Sequence, residues 1–523
     1  MTARTVMIQG TSSSVGKSVL VTGLCRMLRQ DGFRVAPFKA QNMALNAYVT
    51  PDGREIGRAQ GVQAEASSAT PSVEMNPILL KPEGDSRSQV IVLGRSIGSM
   101  TAREYHERKP GLRRIVADSL ARLRAAFDVV VIEGAGSPAE INLRDRDIVN
   151  MYVAGLADAP VILVGDIDRG GVFAALVGTL ELLEPDERAR IAAFVINKFR
   201  GDITLLRPGL DFLERRTRVP ILGVLPYLSR LRIADEDSIS LESRRGMRRA
   251  LPEEVDIAVV RLPRIANHDD VEPLEHEPGV VVRFVEHAGE MLGADLVIVP
   301  GSKSTTADLA WLRENGLASV IVERAARGEP VIGLCGGCQM LGERIEDPEG
   351  VESIRPTAVD GLGLLPVRTR FAQRKTTTRV VARALGRGFF GADVGTDARL
   401  EGYEIHMGRV EASRENVAVF EIVEGSEHGS GAMDGAVGRD GIVVGTMIHG
   451  LFENDALRAG LLRALRRRKG LCDQVQLGAI PTKESEYDRL ARAVRENLDT
   501  VQFARLAGLS KAHDLPIEET REV

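Results

Sequence analysis

The run Gly10-Thr-Ser-Ser-Ser-Val-Gly16-Lys17-Ser18 constrains this chain more than any other stretch, because it sits between the apolar segment TVMIQ and the helical pattern SVLVTGLCRMLRQ. A strand, a glycine-bearing loop and a helix in that order make a phosphate-binding turn. The glycines let the backbone curl so that its N–H groups face phosphate oxygens, and the helix N-terminus adds partial positive charge. On this reading Gly10, Thr11, Gly16, Lys17 and Ser18 bind ATP, with Lys17 on the terminal phosphates and Ser18 on Mg²⁺.

Such a turn needs a sheet behind it. Short apolar runs (TVMIQ, RVAPFK, SQVIVL, DVVVIEG, APVILVGD, RIAAFVINK and VPILGVLP) alternate with helical patterns up to about residue 226. Runs apolar on both faces predict a parallel sheet flanked by helices, an α/β domain over residues 1–230. The charged stretch that follows has no sustained period, so a linker is expected over 231–254. Strand-like runs resume with VDIAVVRL, VVVRFVE, ADLVIVPG, PVIGLCGG and GIVVGTMIHG, a second α/β domain over 255–455. From 456 to 523 apolar residues recur at three and four spacing, which predicts a helical segment packed on that second domain. A chain of 523 residues is long enough for two cores.

The phosphate loop has five residues between Gly10 and Gly16, one more than the common spacing. It resembles the loop of the dethiobiotin synthetase group, in which ATP phosphorylates a carboxylate or carbamate. A second Mg²⁺ ligand is expected from Glu133, at the carboxyl end of DVVVIEG, where open α/β sheets bind their ligands. Asn197 and Lys198 in VINKFRGD end another strand and are candidates for contact with the nucleotide base. Asp166 and Asp168 in GDIDRGG suit either a ligand contact or turn formation.

The second domain carries a thiol in a comparable setting. Gly333-Leu-Cys335-Gly-Gly337 follows an apolar strand and precedes a helix, the cysteine analogue of the G-x-S-x-G elbow. The turn exposes Cys335 at a helix N-terminus, which lowers its pKa. Of eight histidines, His449 at the end of GIVVGTMIHG is best placed to serve as base, with His406 in GYEIHMGR weaker and equally suited to a structural or pocket-lining role. The backbone N–H groups of Gly336 and Gly301 are expected to form the oxyanion hole. Cys338 reads as a packed helix residue.

These features together resemble the class I glutamine amidotransferases, whose elbow carries a glutamine four residues after the cysteine, matched here by Gln339. The family's His-x-Glu pair is absent: His449 is followed by Gly450 and Leu451, and Glu453 is wrongly spaced. A Cys-His dyad is therefore expected.

Over residues 5 to 455 the chain resembles the cobyric acid synthase family of the cobalamin pathway in the segments GTSSSVGKS, PFKAQNMALNAYVT, GREIGRAQ, NPILLKP, EGAGSPAEINL, DIDRGGVFA, NKFRGD, PGSKST, GLCGGCQM, GYEIHMGR and MIHGLF. The resemblance implies a carbon-nitrogen ligase that amidates four carboxylates of adenosylcobyrinic acid a,c-diamide, each with one ATP and one glutamine as nitrogen donor. By the same resemblance Lys39, Gln41 and Asn42 in PFKAQNM bind the substrate. The alternatives are the sister enzyme that amidates the a and c carboxylates, another ATP-dependent glutamine amidotransferase, and a partitioning-type ATPase, for which a primed thiol has no use.

A net charge of -5 leaves no electrostatic footprint for nucleic acid or an anionic membrane. Four scattered cysteines and a start without a signal peptide predict a cytoplasmic protein with reduced thiols. No caged transition metal is expected, since His and Cys spacing offers none. A homo-oligomer is left open.

Overall fold

The computed structural model describes residues 2–84, 86–228, 231, 248–353, 355–425, 429, 431–438, 440–472 and 482–509. In the first half six strands form a parallel sheet in the order Ile221–Pro226, Ile191–Phe199, Val161–Asp166, Arg4–Gly10, Val129–Glu133, Val35–Phe38. Successive side chains of a strand point to opposite faces, and both faces here are covered. Val6 and Ile8 enter one core with Leu20, Leu24 and Leu28 of helix Lys17–Gln30, whereas Met7 enters the other with Leu112, Val116 and Leu120 of helix Ala102–Ala126. Burial on both sides is why these strands are apolar throughout rather than alternating.

One run expected in this sheet lies elsewhere. The SQVIVL segment belongs to strand Arg87–Val92 of a separate four-stranded sheet, ordered Gln41–Met43, Ile78–Pro82, Arg87–Val92, Arg95–Thr101. Only a short turn separates Pro82 from Arg87, and strands so joined pair antiparallel, as these do. This small sheet and the hairpin Ala47–Val49/Glu55–Gly57 reach toward the second half of the chain.

There, Val280–Val285, Val255–Val260, Leu296–Val299, Val331–Leu334 and Val443–Thr446 are parallel neighbours, with Ala436–Val437 added antiparallel at the edge. A largely antiparallel sheet built on the long strands Val367–Ala384 and Arg399–Ala412 packs beside it. The expected linker falls largely outside the described residues.

The C-terminal helices divide between the halves. Helix Asp455–Arg468 buries Leu457, Leu461 and Leu465 in the second half. Helix Lys483–Asn497 instead returns to the first, where Ala491 and Val494 join the core under helix Lys17–Gln30 and Arg26 pairs with Asp488 at 2.7 Å. Its amphipathic period announced a buried stripe but could not say which sheet would bury it. No described helix is long and apolar enough to cross a membrane.

Candidate active sites

The phosphate loop leaves strand Arg4–Gly10 and turns into helix Lys17–Gln30 through Gly16, whose φ of +98° is closed to most side chains. A Cβ on Gly10 would lie 2.5 Å from Val15, so the loop also needs glycine at its first position. Lys17 Nζ donates to the carbonyls of Ser12 and Gly136, at 3.0 and 3.2 Å, across the mouth of the loop. Thr11 N–H bonds the carbonyl of Val164, tying the loop to the neighbouring strand. Asn197 donates to the carbonyl of Val15 at 2.7 Å, and Lys198 donates to that of Ser14 and pairs with Asp166 at 2.8 Å. Both side chains thus hold the outer wall of the loop. Asp166 also accepts the N–H of Asp168, the turn contact that the sequence left open.

Ser18 Oγ donates to Glu133 Oε1 at 2.9 Å, the pairing expected of two ligands to one cation. Glu133 is fully buried and also receives Lys39 Nζ at 2.9 Å and Gln63 Nε2 at 2.5 Å. Hydroxyl and carboxylate oxygens suit Mg²⁺, which commonly takes only one or two protein carboxylates and completes its shell with phosphate oxygens and water. Among the described residues no group of three or more His, Cys, Asp or Glu could cage a metal ion, and Mg²⁺ held this way requires none. Gln41 accepts from Tyr105 at 2.5 Å, and Asn42, 2% exposed, donates to Gln60 at 3.1 Å. Asn42 therefore braces the site from inside, and Lys39 is the group of the three set against Glu133.

Cys335 adopts φ +47° and ψ -107° between strand Val331–Leu334 and helix Gly336–Leu341. A non-glycine residue held there is strained, and the sharp turn is what brings the thiol to the head of the helix. A Cβ on Gly337 would lie 1.9 Å from the carbonyl of Val299, so the elbow is pressed against the adjacent strand end. A Cβ on Gly336 would sit 2.8 Å from the N–H of Ser302, and one on Gly301 would sit 3.3 Å from His449. The two expected oxyanion donors therefore flank the thiol and its base. Gln339 accepts from Thr305 at 3.3 Å, and its buried Nε2 has no hydrogen-bond partner, a donor available to a ligand.

The expected dyad is corrected by the structure. His449 Nδ1 lies 2.7 Å from Asp270 Oδ2, and Asp270 Oδ1 accepts the N–H of Gly450 at 2.8 Å. A carboxylate can only accept, so Nδ1 carries the proton and Nε2 is left to serve the thiol. Glu453 takes no part, pairing loosely with Arg58 and Lys483 at 3.9 and 3.6 Å. Tyr403 stacks on the imidazole with ring centroids 5.3 Å apart. His406 is tied through Nδ1 to the carbonyl of Gly408 at 2.7 Å and lines the pocket before Cys335. Cys338 is fully buried, in keeping with a packing role.

Asp270 ends a strap, residues 264–270, on which both halves of the chain converge. On the glutaminase side Ala266 N–H bonds the carbonyl of Gly301, and Lys303 N–H that of Arg264, each at 2.9 Å. On the other, Asn267 Oδ1 accepts the N–H of Ala47 at 3.2 Å, His268 meets Asn46 at 3.0 Å, and Arg58 pairs with Asp269 at 3.0 Å. Asn267, at φ +51°, also sets its Nδ2 3.3 Å from His449 Nε2.

Burial alone would push the Cys335 thiol up; the charge and hydrogen bond of His449, with His406 assisting, hold it below its ordinary value. Burial likewise opposes the charge on His449, and Asp270 and the thiolate raise it well above the usual imidazole range. The pair thus favours thiolate and imidazolium. A thiol of depressed pKa is reactive above that pKa and loses reactivity as pH falls through it. On a Cys472→Ser background, alkylation of Cys335 by iodoacetamide should have its midpoint below the ~8.5 of a free thiol, and His449→Gln should move it upward. A midpoint unmoved by His449→Gln would remove the histidine from this role. Cys25 and Cys338, raised chiefly by burial, should stay unmodified.

Known proteins match this arrangement over its whole length. The model of the CobQ/CobB/MinD/ParA nucleotide binding domain matches residues 6–241, and that of the CobB/CobQ-like glutamine amidotransferase domain matches residues 256–457. A cobyric acid synthase from Sorangium cellulosum (strain So ce56) is 63% identical, covering 98% of this chain and 100% of its own. One from Desulforamulus reducens is 51% identical over 97% of this chain and 99% of its own, and one from Photorhabdus laumondii subsp. laumondii is 50% identical over 94% and 96%. With a nucleotide-binding half, a glutaminase half and identity running from end to end, the chain belongs to the cobyric acid synthase family.

Proposed function

We propose that this chain uses ATP and glutamine to amidate the b, d, e and g carboxylates of adenosylcobyrinic acid a,c-diamide, yielding adenosylcobyric acid. The observation that carries the reading is the end-to-end identity with proteins named cobyric acid synthase, supported by a primed thiol and a phosphate loop in one chain. We assign residues 1–230 to the synthetase, 255–455 to the glutaminase, and the action to the cytoplasm.

At the glutaminase site the Cys335 thiolate attacks the γ-amide carbon of glutamine. The oxyanion forms against the N–H groups of Gly336 and Gly301, and protonated His449 delivers its proton to the departing nitrogen. Ammonia leaves and a thioester remains. His449, again neutral and held by Asp270, takes a proton from water, which attacks the thioester and frees glutamate. Loss of one oxyanion donor in such a site typically costs ~10²- to 10³-fold in rate.

At the synthetase site a substrate carboxylate oxygen attacks the terminal phosphorus of ATP, with ADP as leaving group, giving an acyl phosphate. Lys17 and the loop N–H groups hold the phosphates; Ser18 and Glu133 would hold Mg²⁺, which supplies charge neutralisation. Lys39 is placed to meet the carboxylate. Ammonia then attacks the acyl carbon, phosphate leaves, and an amide forms. An unactivated carboxylate would instead take a proton from ammonia, which is why each amidation needs its own ATP.

Mass spectrometry of adenosylcobyrinic acid a,c-diamide after incubation with the enzyme and ATP tests the reading. Four replacements of OH by NH₂ are expected with glutamine, and the same product with added ammonia. An unchanged corrin mass with both donors, while ATP is bound, would refute the substrate.

A further inference from the structure

The pocket before Cys335 is not made by the glutaminase half alone. Lys81 and Gln89, on adjacent antiparallel strands of the synthetase half, line it together with Cys335, Gln339, Lys375 and His449. Lys375 arrives there because strand Val367–Ala384 breaks register with its neighbour between Phe371 and Thr376. Irregularities of this kind re-aim a side chain beside an active site.

Lys81 Nζ lies 2.8 Å from Glu55 Oε1; Lys375 holds the other oxygen of Glu55 and lies 3.5 Å from Gln89 Oε1. Glu55 is 1% exposed and Lys81 4%. Two buried ammonium groups thus share one carboxylate, and a buried charge without its counter-charge is costly. The imbalance is visible in Lys375, which burial pushes down to about 8 against the pull of Glu55, with Lys81 adding to the push. Lys303, the third lysine on the wall, has its own partner in Glu83 at 2.9 Å. The pocket also holds one carboxylate among its lining residues, Glu352, seated on the N–H groups of Thr305 and Thr306. A zwitterion fits such a wall: an anionic end for the paired lysines, a cationic end for the acid.

We propose that Lys375 and Lys81 form the subsite for the α-carboxylate of glutamine, so that the synthetase half completes the glutaminase pocket. This rests on the glutamine-dependent reading above. Glutamine whose γ-amide reaches Cys335 is then gripped by a side chain from each half, and its hydrolysis is tied to their docking.

The test compares γ-amide hydrolysis, read as ammonia release, by wild type, Lys375→Met and Lys81→Met. Either substitution leaves Glu55 one lysine, so no buried carboxylate is stranded. KM for glutamine should rise roughly 10- to 100-fold, the range for a lost charge-assisted hydrogen bond, with a smaller change in kcat. Lys375→Arg, which keeps the charge, should recover most of the affinity, and ammonia-supported amidation reports on folding of the synthetase half. The α-carboxamide of L-glutamine supplies the decisive arm. Lacking the carboxylate, it should be a poor substrate for wild type and lose no further ground in either Met variant. Glutamine KM within about twofold of wild type in both variants, or equal losses for glutamine and its α-carboxamide, would overturn the subsite. No glutamate release by wild type would instead sink the glutamine-dependent reading itself.

Discussion

Asp270→Asn is expected to lower glutamine hydrolysis roughly 10³- to 10⁴-fold, the loss seen when the acid of a nucleophile–histidine–acid set becomes an amide. The carboxylate accepts from His449 Nδ1 at 2.7 Å and from Gly450 N–H at 2.8 Å. An asparagine that keeps its oxygen on Gly450 must turn its NH₂ toward Nδ1. The imidazole then moves its proton to Nε2 and can no longer accept one from the thiol. Asp270 is also a principal source of the raised His449 pKa, so its loss weakens the imidazolium that stabilises the thiolate. The signature is specific: glutamate release collapses and the iodoacetamide midpoint of Cys335 rises, while amidation from added ammonia continues. Cys335→Ala sets the floor for glutamate release. Retention of more than a tenth of wild-type glutaminase activity would restore the dyad and leave Asp270 a structural acid.

That this acid escapes a reading of the sequence has a physical reason. The phosphate loop and the cysteine elbow are local: each needs glycines, a nucleophile or lysine, and a strand-to-helix change within about ten residues, so spacing alone reveals them. Asp270 lies 179 residues before His449, and only the topology of the second sheet brings the two together. Its one local sign is the polar cluster Asn267-His268-Asp269-Asp270 beyond an apolar strand, which reads equally as a turn. Lys375 was hidden in the same way, since the Glu55 that it meets lies 320 residues earlier, and nothing local to Lys81 says that it faces a pocket of the other half. The SQVIVL segment was legible as a strand but not as a member of its sheet, since apolar content does not distinguish a parallel core strand from an antiparallel one. Helix Lys483–Asn497 repeats the lesson: its periodicity predicts burial, and the partner, helix Lys17–Gln30, is chosen by packing across the whole chain.

The strap gives these distant contacts a common logic. Residues 264–270 carry the acid that orients His449, brace the loop that carries Gly301, and are held by Asn46, Ala47 and Arg58 of the synthetase half. Those three residues follow Lys39, Gln41 and Asn42 closely in sequence, and Asn42 is bonded to Gln60 on helix Arg58–Ala66. At the strap the synthetase and glutaminase machinery thus meet through hydrogen bonds and an ion pair, none of which involves Ser18 or Glu133, so damage at the phosphate site can be read apart from glutamate release.

Glu133→Gln uses that separation. Glu133 meets Ser18, Lys39 and Gln63 at 2.9, 2.9 and 2.5 Å, and Ser18 and Lys39 address the same oxygen, Oε1. An amide still accepts at one atom but lacks the charge that would hold a divalent cation beside triphosphate. Amidation from either donor should fall roughly 10³-fold or more, equivalent to several kcal/mol of lost charge stabilisation at the phosphoryl group. Glutamate release at Cys335 should survive. The substitution also takes from Lys39, 4% exposed, the charge of the carboxylate it pairs with, and breaking a buried pair from one side costs about 3–5 kcal/mol of stability. A fall in activity from unfolding could imitate loss of the metal. Lys39→Met with Glu133→Gln removes both charges, and it should recover the melting temperature without recovering amidation. If the double variant regains both, Glu133 serves only to neutralise Lys39; if Glu133→Gln keeps Mg²⁺-dependent amidation within tenfold of wild type, the metal is held elsewhere on the loop.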